Sequence, residues 1–104
     1  MGDRLGQFEE ITLLALVRLR ENAYGMPIRR EIAERTGRDV SVGAVYTTLE
    51  RLERKGYVSS RIAEPTAVRG GRAKRYFKIE APGVRALEDI RKVVSGLTEG
   101  HAYA

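Results

Sequence analysis

Ser41–Gly56, SVGAVYTTLERLERKG, reads as one complete helix. Ser41 supplies a hydroxyl for the N-terminal cap. Val42, Val45, Leu49 and Leu52 recur at spacings of three, four and three, forming one apolar stripe of an α-helix. Gly56 stands just past the last periodic residue, where a helix commonly ends in a left-handed conformation. Opposite the stripe lie Gly43, Thr47, Arg51 and Arg54, with Tyr46 and Glu50 at the border. This free face is small and neutral at its start and cationic at its end. It suits a helix that lies in a groove, and it equally suits an ordinary surface helix, so the flanking sequence has to decide. Arg54 and Lys55 favour the negative end of the helix dipole, which gives them a structural role.

The chain has 104 residues, enough for a single domain with one modest core. It has no cysteine, which excludes disulfides, thiolate metal sites and cysteine nucleophiles and is compatible with a reducing cytoplasm. No apolar run approaches the roughly 18 residues of a membrane span, and no signal peptide is evident, so a cytoplasmic protein without membrane attachment is expected. Net charge is +5. Residues 1–40 hold seven basic and seven acidic side chains, residues 81–104 hold three of each, and residues 41–80 hold nine against four. The whole excess therefore sits in the stretch that opens with the capped helix. A patch of one sign attracts polyanions, of which nucleic acid is the commonest. The plainer reading is a solvated surface.

Before that helix, residues 7–20, QFEEITLLALVRLR, form another. Phe8, Ile11, Leu14 and Val17 make one stripe, and Leu13, Ala15, Leu16 and Leu19 fill most of the remaining circumference. A helix apolar nearly all round must be covered on more than one side. One side faces the protein's own core, and the other calls for a second copy of the chain. ENAYG (Glu21–Gly25) is a turn, and Pro27 fits the first turn of a second helix. Ile28, Ile32 and Ala33 give that helix a narrow buried stripe, its charged residues face water, and Gly37 ends it. Two short helices joined by a brief connection, the second opened by a capping serine, form the helix-turn-helix pattern.

After Gly56 the period changes from 3.6 to 2. Tyr57–Ile62 and Ala73–Ile79 read as strands of a hairpin around the loop EPTAVRGGR. The hairpin carries Arg61, Arg69, Arg72, Lys74, Arg75 and Lys78 against one acid, Glu64. An alternating strand has two faces, so these six cations cannot all reach one partner. Arg72 and Lys74, nearest the tip, are the best placed for a phosphate backbone, and Phe77 and Ile79 turn inward. Gly70-Gly71 lacks the surrounding pattern of a phosphate-binding loop and reads as a hairpin tip. Pro82 and Gly83 open the last helix, in which Val84, Leu87, Ile90, Val94 and Leu97 recur at three, three, four and three. From Leu87 onward this is the spacing of a two-helix seam, although two heptads do not separate a seam from a core-facing stripe. Together with the over-apolar first helix it favours a symmetric dimer.

Three helices, a two-stranded hairpin and a last helix follow the order of a winged helix-turn-helix, an α+β fold that is mainly α. The third helix of such a fold enters the major groove and the wing lies along the backbone. Residues 1–80 make the winged-helix domain and residues 81–104 the dimerisation helix and tail. The stretches YGMPIRREIAERTG (Tyr24–Gly37), SVGAVYTTLERLERKGYV (Ser41–Val58) and GRAKRYFKIEAPG (Gly71–Gly83) also resemble the PadR family of bacterial transcriptional regulators, from about Leu5 to about Leu97. The resemblance implies a dimeric repressor of a near-palindromic operator. It implies double-stranded DNA contacts by Ser41, Gly43, Ala44, Tyr46, Thr47, Arg51, the wing residues Arg72 and Lys74, and Tyr24. It implies a homodimer interface built from the first and last helices, with Phe8, Leu13, Leu16, Leu87, Ile90, Val94 and Leu97. Position 47 is often proline in the family, a threonine commonly stands where Glu80 does, and Pro27 replaces a polar or aromatic residue.

The physical roles agree with these placements. Gly43 and Ala44 lack bulk, so the helix can approach closely. Tyr46 offers a hydroxyl to a phosphate, Thr47 suits a base edge or a thymine methyl, and Arg51 reaches a phosphate or a guanine. Some family members bind an aromatic small-molecule effector at the dimer interface. This chain has no tryptophan and offers Phe8 and little other aromatic surface there, so either a small pocket between the first and last helices or no ligand is expected. His101 stands alone near the C-terminus, and no carboxylate pair has a third group to orient it. The sequence therefore holds no acid–base or nucleophilic constellation, and no enzyme, metal or cofactor is expected. The alternative to DNA binding is a winged-helix module for protein interaction. Salt-sensitive binding separates the two, because phosphate contacts release counterions.

Overall fold

A computed structural model describes residues 5–63 and 73–101. The expectations for Arg69, Arg72 and the Gly70-Gly71 tip lie outside the described residues. The order is α1 (Gln7–Leu19), a 3-10 turn (Arg20–Asn22), α2 (Gly25–Thr36), α3 (Val42–Arg54), β1 (Val58–Ala63), β2 (Lys74–Ile79) and α4 (Ala81–Thr98). The fold is a winged helix, mainly helical with one two-stranded antiparallel sheet.

Local chemistry sets the helix ends. Ser41 Oγ accepts the Ala44 N–H at 3.0 Å, opening α3 as its sequence requires. At the far end the Gly56 N–H donates to Glu53 O at 3.0 Å and the Tyr57 N–H to Leu52 O at 3.0 Å. This crossed pair needs a left-handed residue, and Gly56 supplies it at φ 81°. Gly37 ends α2 with a left-handed residue too, at φ 73°, its N–H donating to Ala33 O at 2.9 Å. Between these helices Arg29 Nε donates to Val40 O at 2.6 Å and its Nη2 reaches Asp39 at 3.3 Å, so a side chain read as solvent-facing secures the turn.

α1, α2 and α3 enclose the core. Leu13, Ile28, Val45, Leu49 and Leu52 are each 0% exposed, and Phe77 of β2 closes it from below. The hairpin pairs Val58 with Ile79 and Ala63 with Lys74 in continuous register. The Phe77 N–H also donates to Ala23 O at 2.8 Å, tying the α1–α2 connection to the sheet.

The structure corrects the first helix. Leu13 and Leu16 were assigned to the dimer interface by resemblance, but both are buried within this chain's own core. The core face of α1 runs through Glu9, Thr12, Leu13, Ala15 and Leu16. Rotated away from it, Leu14 and Val17 are 46% and 47% exposed, so two residues of the stripe read from the spacing are on the outside. The physical reason is that Glu9 and Thr12 are polar yet internally satisfied. Thr12 Oγ1 donates to Phe8 O at 2.8 Å, and the Glu9 carboxylate accepts from Lys55 Nζ at 2.9 Å.

The last helix lies largely off the core. Gly83 is its sole fully buried residue among those described, while Val93, Val94 and Leu97 are 62%, 49% and 78% exposed. Leu87 and Ile90 are half-buried. A stripe on the domain's own core is thus ruled out beyond the first half of α4. Glu80 sits at the N-cap without a capping side-chain bond; its carboxylate accepts instead from the Ser59 hydroxyl.

At Gly83 the helix start rests directly on the backbone. An added Cβ would lie 2.5 Å from the Tyr57 carbonyl oxygen and 2.8 Å from Ile79 Cγ1. That carbonyl already accepts the Glu80 N–H at 2.9 Å, so it has little freedom to withdraw. Gly83→Ala gains about 1 kcal/mol of helix propensity, and the overpacking outweighs it. A net loss of about 2 kcal/mol is expected, read as a fall in Tm of roughly 10 °C by calorimetry. An unchanged Tm would mean that α4 does not seat on the hairpin base in this way.

Candidate nucleic-acid interface

The exposed start of α3 brings Ser41, Gly43, Ala44 and Thr47 to one surface, with Arg51 one turn further on, also exposed. The buried stripe of Val45, Leu49 and Leu52 anchors the helix from behind, so this free face is fixed by packing. Nothing bulky rises at its beginning, and a Cβ on Gly43 would meet only Ser41 Oγ, at 3.8 Å.

Tyr46 is placed differently from the other predicted residues. It is half-buried, its ring 6.0 Å from Phe77 between centroids. The same ring covers Gly25, where a Cβ would lie 2.7 Å from Tyr46 Cε2 and 2.8 Å from its hydroxyl. Gly25 is therefore the residue that admits Tyr46 against the start of α2. The ring works as packing between α2, α3 and β2.

Tyr24 and Lys74 are far apart in sequence and meet in space. Lys74 Nζ stands 4.6 Å from the Tyr24 ring centroid and 3.5 Å from its hydroxyl. Tyr24 meets Tyr76 edge-on at 5.2 Å, and the Arg61 guanidinium lies 4.8 Å over the Tyr76 ring. Tyr24 and Tyr76 thus form a pair of rings with a cation at each end, Lys74 on Tyr24 and Arg61 on Tyr76, against one face of the wing. Arg61 and Tyr76 were not singled out from sequence, although the register pairing them directly follows from strand alternation.

The opposite face holds Arg75, Phe77 and Ile79. Arg75 turns toward α3, with Nη2 at 2.7 Å from Glu53 Oε1 and Nη1 at 3.8 Å from Glu50 Oε2. Two carboxylates elsewhere, Glu9 and Glu31, are held below the usual carboxylate range. At Glu9, burial pushes the carboxyl up, but hydrogen bonds from Lys55 and the Gly6 N–H, with the charges of Lys55 and Arg51, outweigh it and hold it below the usual range. At Glu31 the Arg18 hydrogen bond dominates, burial opposes it, and Arg35 adds to the lowering. Among the described residues no cluster of three or more His, Asp or Glu side chains could hold a metal ion. No described helix is long and apolar enough to cross a membrane.

The family model described as transcriptional regulator PadR-like matches residues 13–89. The chain belongs to this PadR-like family. It is a family of transcription regulators rather than enzymes, and the resemblance carried by the three quoted stretches holds. No curated protein matches the sequence. Among solved structures, a PadR-like transcription factor from Bacteroides fragilis is 24% identical over 90% of this chain and 85% of its own, with a TM-score of 0.74. RosR of H. salinarum is 24% identical over 98% and 84%, with a TM-score of 0.73. A winged-helix DNA-binding protein from STIV is 18% identical over 95% and 100%, with a TM-score of 0.70. At these identities the likeness concerns the fold, so the residue roles in this PadR-like chain rest on its own geometry.

Proposed function

We propose that this PadR-like regulator binds double-stranded DNA as a cytoplasmic homodimer and represses transcription from a near-palindromic operator. The observation that carries the reading is the exposed, uncluttered start of α3 beside a wing whose Lys74 is held outward on Tyr24. Ser41, Gly43, Ala44, Thr47 and Arg51 lie against the major groove. Lys74, Tyr24 and Arg72 approach the backbone. Tyr46 backs the recognition helix and offers its hydroxyl at the edge.

Dimerisation is supported by two apolar surfaces that the protomer leaves open. Leu14 and Val17 line a cleft of about 350 Å³ between α1 and α2, and α4 presents Val93, Val94 and Leu97. Phe8 and Leu87 are partly buried against the core and Ile90 is half-buried, so each keeps some surface on the same two helices. Packing α4 of one copy near α1 of another covers both. Any small-molecule effector would have to be small and apolar to fit between such faces.

The test is fluorescence anisotropy with duplex from the protein's own upstream region, against scrambled duplex of equal length, at two salt concentrations. Preference for the upstream duplex that weakens with salt supports a self-regulating repressor. Equal, salt-sensitive binding to both moves the operator elsewhere. Salt-insensitive binding, or none, removes DNA from the proposal and favours a protein partner. For the dimer, Leu97→Glu is expected to give a protein of half the mass by light scattering with its helical circular dichroism retained. A dimer that survives this change does not use α4.

A further inference from the structure

The hairpin has two braces, and one of them uses a wing cation that turns toward the recognition helix. Arg75 stands opposite Ile62 in the register, one pair in from the loop end of the ladder. Its guanidinium donates to Glu53 Oε1 at 2.7 Å and to Ser60 Oγ at 3.2 Å, and it covers the Phe77 ring at 5.0 Å from the centroid. Ser60 in turn donates to the other Glu53 oxygen at 2.9 Å. The Glu53 carboxylate thus accepts from both strands at once while belonging to the recognition helix. A two-stranded ribbon alone is marginal and twists freely. Its deeper end is fixed by Val58 and Phe77, which are buried. Toward the tip, on the α3 side, the polar bracket of Glu53, Ser60 and Arg75 takes over.

We infer that Glu53 and Arg75 are positioning residues for DNA binding: they set the angle between recognition helix and wing, so that the phosphate contact of Lys74 forms together with those of α3. The inference rests on the DNA-binding reading above. It makes a prediction whose sign opposes simple electrostatics. Glu53→Gln removes a negative charge and leaves Arg75 with Glu50 as its one remaining carboxylate among the described residues, so charge alone predicts tighter binding to a polyanion. Positioning predicts weaker binding, because the wing no longer meets the backbone in register with α3.

The experiment titrates full-length wild type, Glu53→Gln, Arg75→Glu and the charge swap Glu53→Arg with Arg75→Glu against one mixed-sequence DNA duplex at several salt concentrations, well below each protein's Tm. Wild type sets the reference: if it binds no duplex at any salt, the DNA-binding reading falls and this inference falls with it. With binding established, Glu53→Gln is expected to bind about tenfold more weakly, with a salt slope shallower by roughly one to two, the signature of lost phosphate contacts. The charge swap, equal in net charge to wild type, is expected to recover most of the affinity and the slope. Adding Lys74→Ala to Glu53→Gln is expected to cost less than Lys74→Ala alone, since the contact is already loosened. A loss confined to thermal stability would leave affinity and slope unmoved and would overturn the inference. Equal or tighter binding by Glu53→Gln would overturn it too, as would full additivity with Lys74→Ala.

Discussion

Lys55→Met is expected to lower the unfolding free energy by about 3 kcal/mol at neutral pH, through a carboxylate at the other end of the core. Glu9 is 5% exposed, and its two oxygens accept from Lys55 Nζ at 2.9 and 3.0 Å. Oε1 also accepts the Gly6 N–H at 2.8 Å, which satisfies one of the open donors at the start of α1. Methionine keeps the length and apolar stem of lysine but withdraws the ammonium, leaving a buried charge against apolar neighbours. Removing one partner of a buried pair costs about 3–5 kcal/mol; the 19% exposure of the Lys55 side chain puts the value at the lower end. The pair also links the N-terminus of α1 to the C-cap of α3, so its loss loosens the recognition helix at its C-terminal end.

The pH dependence follows with a definite sign. The folded Glu9 carboxyl titrates below its ordinary value, so it contributes stability that is present above the unfolded carboxylate range and is lost as pH falls through the folded value. In Lys55→Met burial remains while the ammonium's contribution is gone, so the folded Glu9 value moves upward. The gap between wild type and variant is therefore widest at neutral pH and closes in acid, where Glu9 is protonated in both. Urea unfolding at pH 7 and at about pH 3.5 measures it. Adding Glu9→Gln to Lys55→Met is expected to recover much of the loss, because no buried charge is then left unpaired. A gap that stays constant with pH, or a single-variant loss below about 1 kcal/mol, would show that the pair is a surface contact.

What was legible in the sequence was local. The third helix declared its cap, its stripe and its stop within sixteen residues, and each is found where the spacing puts it. The hairpin was legible for the same reason, since alternation distinguishes Phe77 and Ile79 from Lys74 and Lys78 without any knowledge of the rest. Contacts between distant residues were not legible. Tyr46 looks like a free aromatic on a helix border until Gly25 is seen to leave room for its ring. Arg75 counts as one more wing cation until Glu53 is seen to accept its proton donors. Both depend on pairings separated by more than twenty residues, which no periodicity reports.

The first helix failed differently. Eight of the 13 residues of α1 are apolar, so its stripe has no clear minimum, and the polar residues that mark a solvent face elsewhere lie here on the core side. Glu9 and Thr12 are buried because Lys55 and the Phe8 carbonyl satisfy them. Their burial rotates the helix so that Leu13 and Leu16 face inward and Leu14 and Val17 face out. The resemblance implied that this helix meets a second copy through Leu13 and Leu16; the structure turns those two inward and leaves Leu14 and Val17 on the outside.

That rotation makes the final prediction, in which adjacent leucines behave oppositely. Leu13 is 0% exposed within the core formed with α2 and α3, so Leu13→Ala opens a cavity that close-packed neighbours cannot fill. A loss of about 3 kcal/mol is expected, within the range of roughly 2–5 for buried leucines. Leu14, 46% exposed beside the α1–α2 cleft, touches little that a single protomer needs. Leu14→Ala is expected to cost the protomer under about 1 kcal/mol. If α1 meets a second copy through its outer face, that variant instead weakens association, and its unfolding midpoint becomes more dependent on protein concentration. Urea unfolding at two protein concentrations, paired with sedimentation of each variant, separates the two effects. A Leu13→Ala protein that kept the wild-type midpoint yet sedimented as a monomer would return Leu13 to the interface and place α1 in the opposite rotation. The opposite pattern, a destabilised Leu13→Ala that remains associated, requires the inward face seen here, because a cavity in the protomer core lowers the stability of each copy without removing any surface by which copies meet.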